Sequence, residues 1–524
     1  MAPTATAPAS LTSLLLPWAA ERPGGVALRT PPGEARVEVT WAALLARVGQ
    51  ARDRFRAAGL SPGERIVLIA PTCPEFLAEF LGADAAGLIV VAVNPLSTVR
   101  ELAYLIEDSG ARQVVAHPAV ATAGERAAAE AGIGFRTVPL IAAGAPACAA
   151  DPASFDITER APDDVSALLY TSGTTGRPKG AMLTLGNLTT AARTVRGLVQ
   201  ATEDERWATG LPLFHVFGLA AVVLPALSMG QPVTLFPRWD PQEFVRALEL
   251  DGISMISGVP TMWMSVLAGA SEGTAPALRA VSSGGAAIAG EVVRRFEERF
   301  SAPVVEGYGL TETTALGTFN PIDGERKVGS VGRPVGEQEV RVIGLDGSPV
   351  PAGEVGEVCI RGPVVMKGYW NRPEATAEVL SPDGWFRTGD LGRMDSDGYL
   401  FIVDRLKDLI IHGGYNVYPR EVEEVLYEIP GVREAAVVGT PDEKYGQQVT
   451  AVLTRTADDA GAALTAEAVE RAAREALAAY KIPRIVEFVE ELPKGPSGKI
   501  LKRALSGLGA ERKDTGQPVA PVGT

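Results

Sequence analysis

The segment Tyr170-Thr-Ser-Gly-Thr-Thr-Gly-Arg-Pro-Lys-Gly180 gathers three glycines, four aliphatic hydroxyls and a lysine directly after the apolar run Ala167-Leu-Leu-Tyr170. Such a loop at a strand end can bind phosphate. Glycines let the backbone approach an anion closely, and successive N–H and hydroxyl groups donate to its oxygens. Lys179 adds a mobile positive charge. A Walker A loop would place Ser or Thr directly after the lysine to hold magnesium, and here Gly180 follows. A merely flexible loop would share the Gly/Ser/Thr content, but the lysine fixed after two spaced glycines favours the phosphate reading.

Further segments pair a glycine turn with a charged group. Gly307-Tyr-Gly-Leu-Thr-Glu-Thr313 carries Glu312, a hard oxygen ligand suited to Mg²⁺. Gly384-Trp-Phe-Arg-Thr-Gly-Asp390 ends in an Asp after a tight Gly turn, which can accept two ribose hydroxyls. Pro493-Lys-Gly-Pro-Ser-Gly-Lys499 holds a lysine on a Gly-flanked loop, with Lys494 as its neighbour. No convincing Ser–His–Asp or Cys–His nucleophile set accompanies them.

Together, in this order and from Trp41 to Arg503, these segments resemble the adenylate-forming superfamily in its acyl-CoA synthetase branch, whose other branches include nonribosomal adenylation domains and luciferases. The resemblance implies an α/β fold: a large N-terminal domain of α/β sheets with a β-rich subdomain, and a small mobile C-terminal α+β domain. It implies ATP, Mg²⁺ and coenzyme A as the small-molecule requirements. Thr171, Ser172, Gly173, Thr174, Thr175, Gly176, Gly307 and Tyr308 then belong to the nucleotide site, with Gly284, Gly285 and Ala286 of Ser282-Ser-Gly-Gly-Ala-Ala287 touching adenine and the acid's carboxylate. Thr311 bonds the α-phosphate, Glu312 is the metal ligand, and Asp390 and Arg405 hold the ribose.

In Asp404-Arg-Leu-Lys-Asp408, Lys407 takes the place of the family's hinge. Lys499 takes that of the lysine which enters during adenylation and leaves during thioester formation. Gly413 and Gly414 resemble the stretch lining the pantetheine tunnel, beside a His412 read as structural. Leu211-Pro-Leu-Phe-His-Val-Phe-Gly218 resembles the motif whose histidine gates the carboxylate site, here His215, although a buried aromatic–histidine cluster would look the same. The acid pocket is expected to draw on His215, Phe217, Val259, Trp263, Ala287, Leu316 and Gly317. That wall is apolar with no partner for a second carboxylate, so a monocarboxylate is expected. The run Thr318-Phe-Asn-Pro-Ile322 and the histidine gate resemble those of fatty-acyl ligases, which implies a medium- or long-chain aliphatic acid, with a cinnamate- or benzoate-type acid, or a carrier-protein acceptor, as alternatives.

Strands and helices must position these groups. Glu64-Arg-Ile-Val-Leu-Ile-Ala70 and Gly87-Leu-Ile-Val-Val-Ala-Val93 read as strands, and Trp41 to Ala58 and Pro74 to Ala86 as helices. That alternation implies parallel sheets covered on both faces. From about Val328 the pattern turns to antiparallel strands, as in Glu339–Ile343 and Gly356–Arg361. Beyond Asp404, Glu421–Glu428 and Ala466–Tyr480 read as helices, Glu434–Val438 and Ile485–Phe488 as strands. The expected division is a tail over 1–10, a large domain over 11–403 with its β-rich subdomain at about 328–403, a hinge over 404–407, a small domain over 408–510 and a tail over 511–524.

At 524 residues the chain exceeds the ~250–300 at which single cores stop growing. Its net charge of -14 argues against nucleic acid or anionic membrane as a partner. The three cysteines are far apart, which fits neither a disulfide framework nor a zinc site and suits a cytoplasmic setting. Leu14 to Ala20 is apolar but broken by Pro17, so a short packing helix is expected there and no membrane span. A homodimer is the assembly expected.

Overall fold

The computed structural model describes residues 9–33, 36–142, 150–171, 177–269, 273–344, 346–442, 444–494 and 500–505. The expected loop residues Ser172, Gly173, Thr174, Thr175 and Gly176, together with Lys499, lie outside them. Contacts group the chain into two compact units. The first holds residues 1–341, 359–388 and 398–400, and the second 342–358, 389–397 and 401–524. The β-rich region therefore contributes segments to both units, where the sequence had placed all of it with the large domain.

In the first unit, a six-stranded sheet runs in the order Gly134–Thr137, Gln113–Ala116, Arg65–Ile69, Ile89–Val93, Val165–Thr171, Lys179–Thr184. All its pairs are parallel except the last. The strand Ile89–Val93 is buried at every position, as a β-branched run must be in a sheet covered on both faces. A nine-stranded sheet is parallel from Val304–Tyr308 through Ala280–Ser283, Met255–Gly258, Trp207–Thr209 and Val233–Leu235 to Val26–Arg29, with short antiparallel strands at both edges.

The helix Pro74–Ala85 is buried at all twelve positions, although it carries Glu75, Glu79 and Asp84. Buried carboxylates need donors, and each has them. Glu79 pairs with Arg54 at 2.9 Å and with Arg136, Glu75 accepts the Ile141 N–H at 2.9 Å, and Asp84 receives the hydroxyls of Ser10 and Thr12 with Arg160 at 3.4 Å. Burial pushes the Asp84 carboxyl above its ordinary pKa, and these donors pull it back.

The same contacts correct the expected N-terminal tail. Ser10 is completely buried and the Ala9 carbonyl accepts the Arg160 N–H at 3.0 Å, so the ordered chain begins before residue 11. The apolar stretch after it forms the helix Leu16–Glu21, packed through Leu15 and Ala19. No helix among the described residues is long and apolar enough to cross a membrane.

In the second unit, a five-stranded sheet joins Tyr415–Val417, Ile410–His412, Gly446–Arg455 and Val432–Asp442 in antiparallel order, with Ile485–Phe488 added in parallel to Gly446–Arg455. Val422, Leu426 and Val469 pack against this sheet from the helices Pro419–Tyr427 and Ala466–Ala476. The second helix stops short of the expected Tyr480. Leu477 is extended, and Tyr480 instead stacks on Tyr415 with ring centroids 4.8 Å apart. The strands Glu339–Ile343, Gly356–Arg361, Phe386–Met394 and Leu400–Arg405 have their residues divided between the two units.

Replacing Ser10 with alanine removes one donor from a fully buried carboxylate. The expected loss is ~1–3 kcal/mol of stability, read as a lower denaturant midpoint for the first unit. An unchanged midpoint would show that residues 9–12 do not hold Asp84.

Candidate active site

Three parallel strands of the nine-stranded sheet end side by side. Gly258 is in register with Ser283, and Ser283 with Glu306. Ligands in open α/β sheets gather beyond such carboxyl ends; the expected Val259 and Gly284–Ala287 follow directly from two of these strands, and Gly307 and Tyr308 are the last residues of the third. Gly284 donates its N–H to the Gly258 carbonyl at 3.2 Å. A Cβ on Gly284 would sit 3.1 Å from the Phe217 ring, so Phe217 and this loop are in contact. His215 caps a short helical turn, its Nδ1 accepting the Phe217 N–H at 3.4 Å. The structure thus brings His215, Phe217, Val259 and Gly284 to one edge, with Gly285, Ala286 and Ala287 exposed beside them.

Three further expected pocket residues are buried. Trp263 is fully buried, packed edge-on against Trp239 and Phe296 at 6.3 and 5.4 Å, so it belongs to an aromatic core. Gly317 faces the Ile360 side chain, which a Cβ would meet at 2.7 Å. Leu316 is buried at 5% exposure.

The loop after the strand Val304–Tyr308 is built tightly. Thr314 and Ala315 both take positive φ, at 49° and 68°, and the Ala315 carbonyl oxygen lies 2.2 Å from where a Cβ on Gly309 would stand. Only glycine fits there. This turn carries Thr311 and Glu312 in the short helix Thr311–Thr313.

Glu312 is buried, and its Oε1 accepts the Tyr369 hydroxyl at 2.8 Å and the Thr171 hydroxyl at 3.4 Å. Thr171 ends the strand Val165–Thr171 and pairs across from Lys179, so the glycine-rich loop starts and finishes beside this carboxylate. The Lys179 ammonium lies 5.1 Å from the Tyr369 ring centroid, a cation–π distance. A cation, a buried carboxylate and two hydroxyls therefore converge. Burial, and after it the Glu312 charge, holds the Tyr369 phenol well above the usual range, so it donates as a neutral O–H.

Tyr369 was not among the sequence candidates. It sits in Lys367-Gly-Tyr-Trp370, which runs along the edge strand Lys179–Thr184. Lys367 N–H reaches the Met182 carbonyl at 3.0 Å, Met182 N–H the Gly368 carbonyl at 2.9 Å, and Trp370 N–H the Gly180 carbonyl at 2.8 Å. The signal available in the sequence was a glycine before paired aromatics, close after a strand.

In the second unit, Asp390 and Arg405 form an ion pair at 3.5 Å, uniting the two expected ribose residues. Asp404 fixes this segment by accepting the N–H groups of Arg405 and Arg420 at 2.7 and 2.8 Å, which also caps the helix Pro419–Tyr427. Lys407 is exposed in the short helix Leu406–Asp408. Gly413 and Gly414 form the turn between the strands Ile410–His412 and Tyr415–Val417, both with positive φ, as a two-residue primed hairpin requires. His412 stacks on Tyr445 at 4.6 Å and bonds the Gln447 carbonyl at 2.8 Å, which agrees with its structural reading.

Both flanks of the segment bearing Lys499 are anchored in this unit. Lys494 pairs with Glu434 at 2.6 Å, and Leu501 N–H reaches the Pro493 carbonyl at 2.8 Å. Lys502 pairs with Glu423 at 2.8 Å, and the same carboxylate accepts the Val437 N–H at 2.7 Å.

Two substitutions test these anchors. Tyr369→Phe strips Glu312 of its 2.8 Å donor and should destabilise the first unit by ~1–3 kcal/mol, measured by denaturant unfolding. Lys502→Met leaves Glu423 buried without its cation, and the second unit should lose about 3–5 kcal/mol. Faster proteolysis within residues 401–524 is the corresponding readout, and wild-type resistance would contradict the pairing.

Residues 16–370 match the model of the AMP-binding enzyme family, and residues 421–499 that of the AMP-binding enzyme C-terminal domain. A feruloyl-CoA synthase of Amycolatopsis sp is 41% identical over 467 residues, 88% of this chain and 92% of that protein. A long-chain-fatty-acid–CoA ligase of Mycobacterium tuberculosis is 35% identical over 474 residues, 90% of this chain and 93% of that protein. The crystal structure of ATP-bound MatB from Rhodopseudomonas palustris superposes with a TM-score of 0.85 at 33% identity, covering 95% of this chain and 98% of that one. With a family model matching residues 16–370 and relatives of 35–41% identity covered over most of their length, the chain belongs to the AMP-binding enzyme family.

Proposed function

We propose that this protein is an AMP-forming acid–CoA ligase. It activates a carboxylic acid as its acyl-adenylate, releasing pyrophosphate, and then passes the acyl group to coenzyme A, releasing AMP. The observation that carries this reading is the convergence of Lys179, Thr171 and Tyr369 on the buried Glu312. A carboxylate is a weak electrophile, so the acid must first gain a leaving group. Its oxygen attacks the α-phosphorus of ATP, and two anions meet only where positive charge is preorganised.

In this reading Lys179 and Lys499 supply that charge, Thr311 bonds the α-phosphate, Tyr308 lies against adenine, and Asp390 with Arg405 takes the ribose. Glu312 suits Mg²⁺, because it is a hard oxygen donor with one oxygen already oriented by two hydroxyls. The ion would neutralise charge on the triphosphate. Lys407 is the proposed hinge, and Gly413 and Gly414 the proposed pantetheine contacts. A cytoplasmic location goes with these substrates.

For the acid, the apolar edge formed by Phe217 and Val259 supports a monocarboxylate. The higher identity to the feruloyl-CoA synthase than to the long-chain ligase favours an aryl acid over the aliphatic acid that the Thr318–Ile322 run suggested.

Acid-dependent pyrophosphate release, measured with aryl, fatty and short acids with and without coenzyme A, tests the proposal. Release that rises with coenzyme A and yields AMP and a thioester is expected; release indifferent to coenzyme A would replace it with an adenylate-only or carrier-loading enzyme. Lys499→Ala should abolish adenylate formation while thioester formation from supplied acyl-AMP survives. An equal fall in both rates would remove Lys499 from the adenylation step.

A further inference from the structure

Cys73, Glu75 and His117 stand outside the site described above, yet their ligating atoms all lie within 4.8 Å of one another. They form the one such cluster of three or more Cys, His, Asp or Glu residues among the described residues. The topology explains the meeting. Arg65–Ile69 and Gln113–Ala116 are neighbouring parallel strands with Ile69 opposite Ala116, and the His117 N–H reaches the Ile69 carbonyl at 2.8 Å. The segment leading to Cys73 and the residue His117 therefore leave the same edge of the sheet. Cys73 is the residue before the helix Pro74–Ala85, extended and with no side-chain capping bond, and Glu75 lies on the first turn.

We propose that Cys73, Glu75 and His117 bind a borderline-soft divalent cation, zinc foremost. The donor set is one sulfur, one oxygen and one imidazole nitrogen, which suits zinc and not magnesium or calcium. A thiolate, a carboxylate and a neutral imidazole together balance two positive charges, and the thiol releases its proton to solvent on binding. Zinc bonds of about 2.0–2.3 Å at tetrahedral angles set ligand atoms ~3.5 Å apart. The ligating atoms, all within 4.8 Å of one another, approach that spacing.

One Glu75 oxygen is already oriented by the Ile141 N–H at 2.9 Å. His117 Nδ1 accepts the Ala119 N–H at 3.2 Å, a long contact that coordination through this nitrogen would replace. Cys73 and Glu75 are buried, whereas His117 is half-buried and gives the ion its route in and a place for a water as fourth ligand.

The full-length protein, stripped with chelator, would be dialysed against zinc and separately titrated with Co²⁺. One zinc per chain is expected, and cobalt should produce thiolate-to-metal charge-transfer absorption. Cys73→Ser should abolish that band. Cys73→Ser and His117→Asn should each weaken zinc by more than the ~10-fold that loss of even an outer partner costs. Cys148→Ser should leave both readouts unchanged. If Cys73→Ser does not fold, His117→Asn alone decides, because its side chain is half-buried. The proposal is overturned by no zinc retention, by cobalt binding without the thiolate band, or by undiminished affinity in His117→Asn. Acid-dependent pyrophosphate release by His117→Asn should match wild type, so failure of the metal site is distinguishable from failure of the ligase reading.

Discussion

A carboxylate withdrawn from water is stable only where donors replace its hydration, and Glu312 meets that requirement from both sides of the chain. Thr171 arrives from the end of a strand in the six-stranded sheet, and Tyr369 from a segment laid along that sheet's last strand. Glu312 itself follows the last long parallel strand of the other sheet. One buried charge thus ties two sheets of the first unit together at the point where the glycine-rich loop begins and ends. Its position dictates others: Lys179 must pass the Tyr369 ring, and Lys367–Trp370 must follow Lys179–Thr184 in register.

The second constraint is spatial. Parallel strands that end in register deliver their following loops to one edge, so residues far apart in sequence become neighbours without long-range side-chain bonds. Phe217 touching Gly284, and Gly284 bonded to Gly258, follow from that arrangement. The turn at Gly309 carries the requirement furthest, since positive φ at Thr314 and Ala315 folds the backbone back into the space a side chain would fill. Backbone strain of this kind persists only where surrounding structure enforces it, and here the Thr314 hydroxyl is bound to the Val364 carbonyl at 2.7 Å.

Much of this was legible in the residues. The runs Ile89–Val93, Glu339–Ile343, Gly356–Arg361 and Ile485–Phe488 announced strands, because β-branched and alternating patterns report burial directly. Glu312 and Lys179 stand out because charge beside glycine turns is a local signal, whereas the ribose roles of Asp390 and Arg405 rest on the family resemblance. What escaped was non-local. Tyr369 acquires its role from a hydrogen bond 57 residues back in the chain, and no periodicity encodes that. Trp263 shows the converse limit. An apolar aromatic near a strand end reads alike whether it faces a cavity or, as here, Trp239 and Phe296. The start of the chain misled too: its Ala/Pro/Thr/Ser composition resembles a tail, whereas Ser10 is held by a buried Asp84 that only the fold brings near.

Net charge and local charge point in opposite directions, and their difference bears on selectivity. A chain with net charge -14 repels polyanions at long range, but screening confines that repulsion to about 8 Å at physiological ionic strength. Anion binding must then come from groups held within a few ångströms. Among the described residues the first unit offers Lys179 over the Tyr369 ring, and the second unit, by itself, Arg405 paired with Asp390 across 3.5 Å in a segment fixed by Asp404. Such groups act only on a ligand that reaches them in the right orientation, whereas a diffuse basic surface attracts any phosphate chain. A negative net charge and cations fixed by their neighbours therefore act at different ranges, the first on any polyanion and the second only on a group that reaches them.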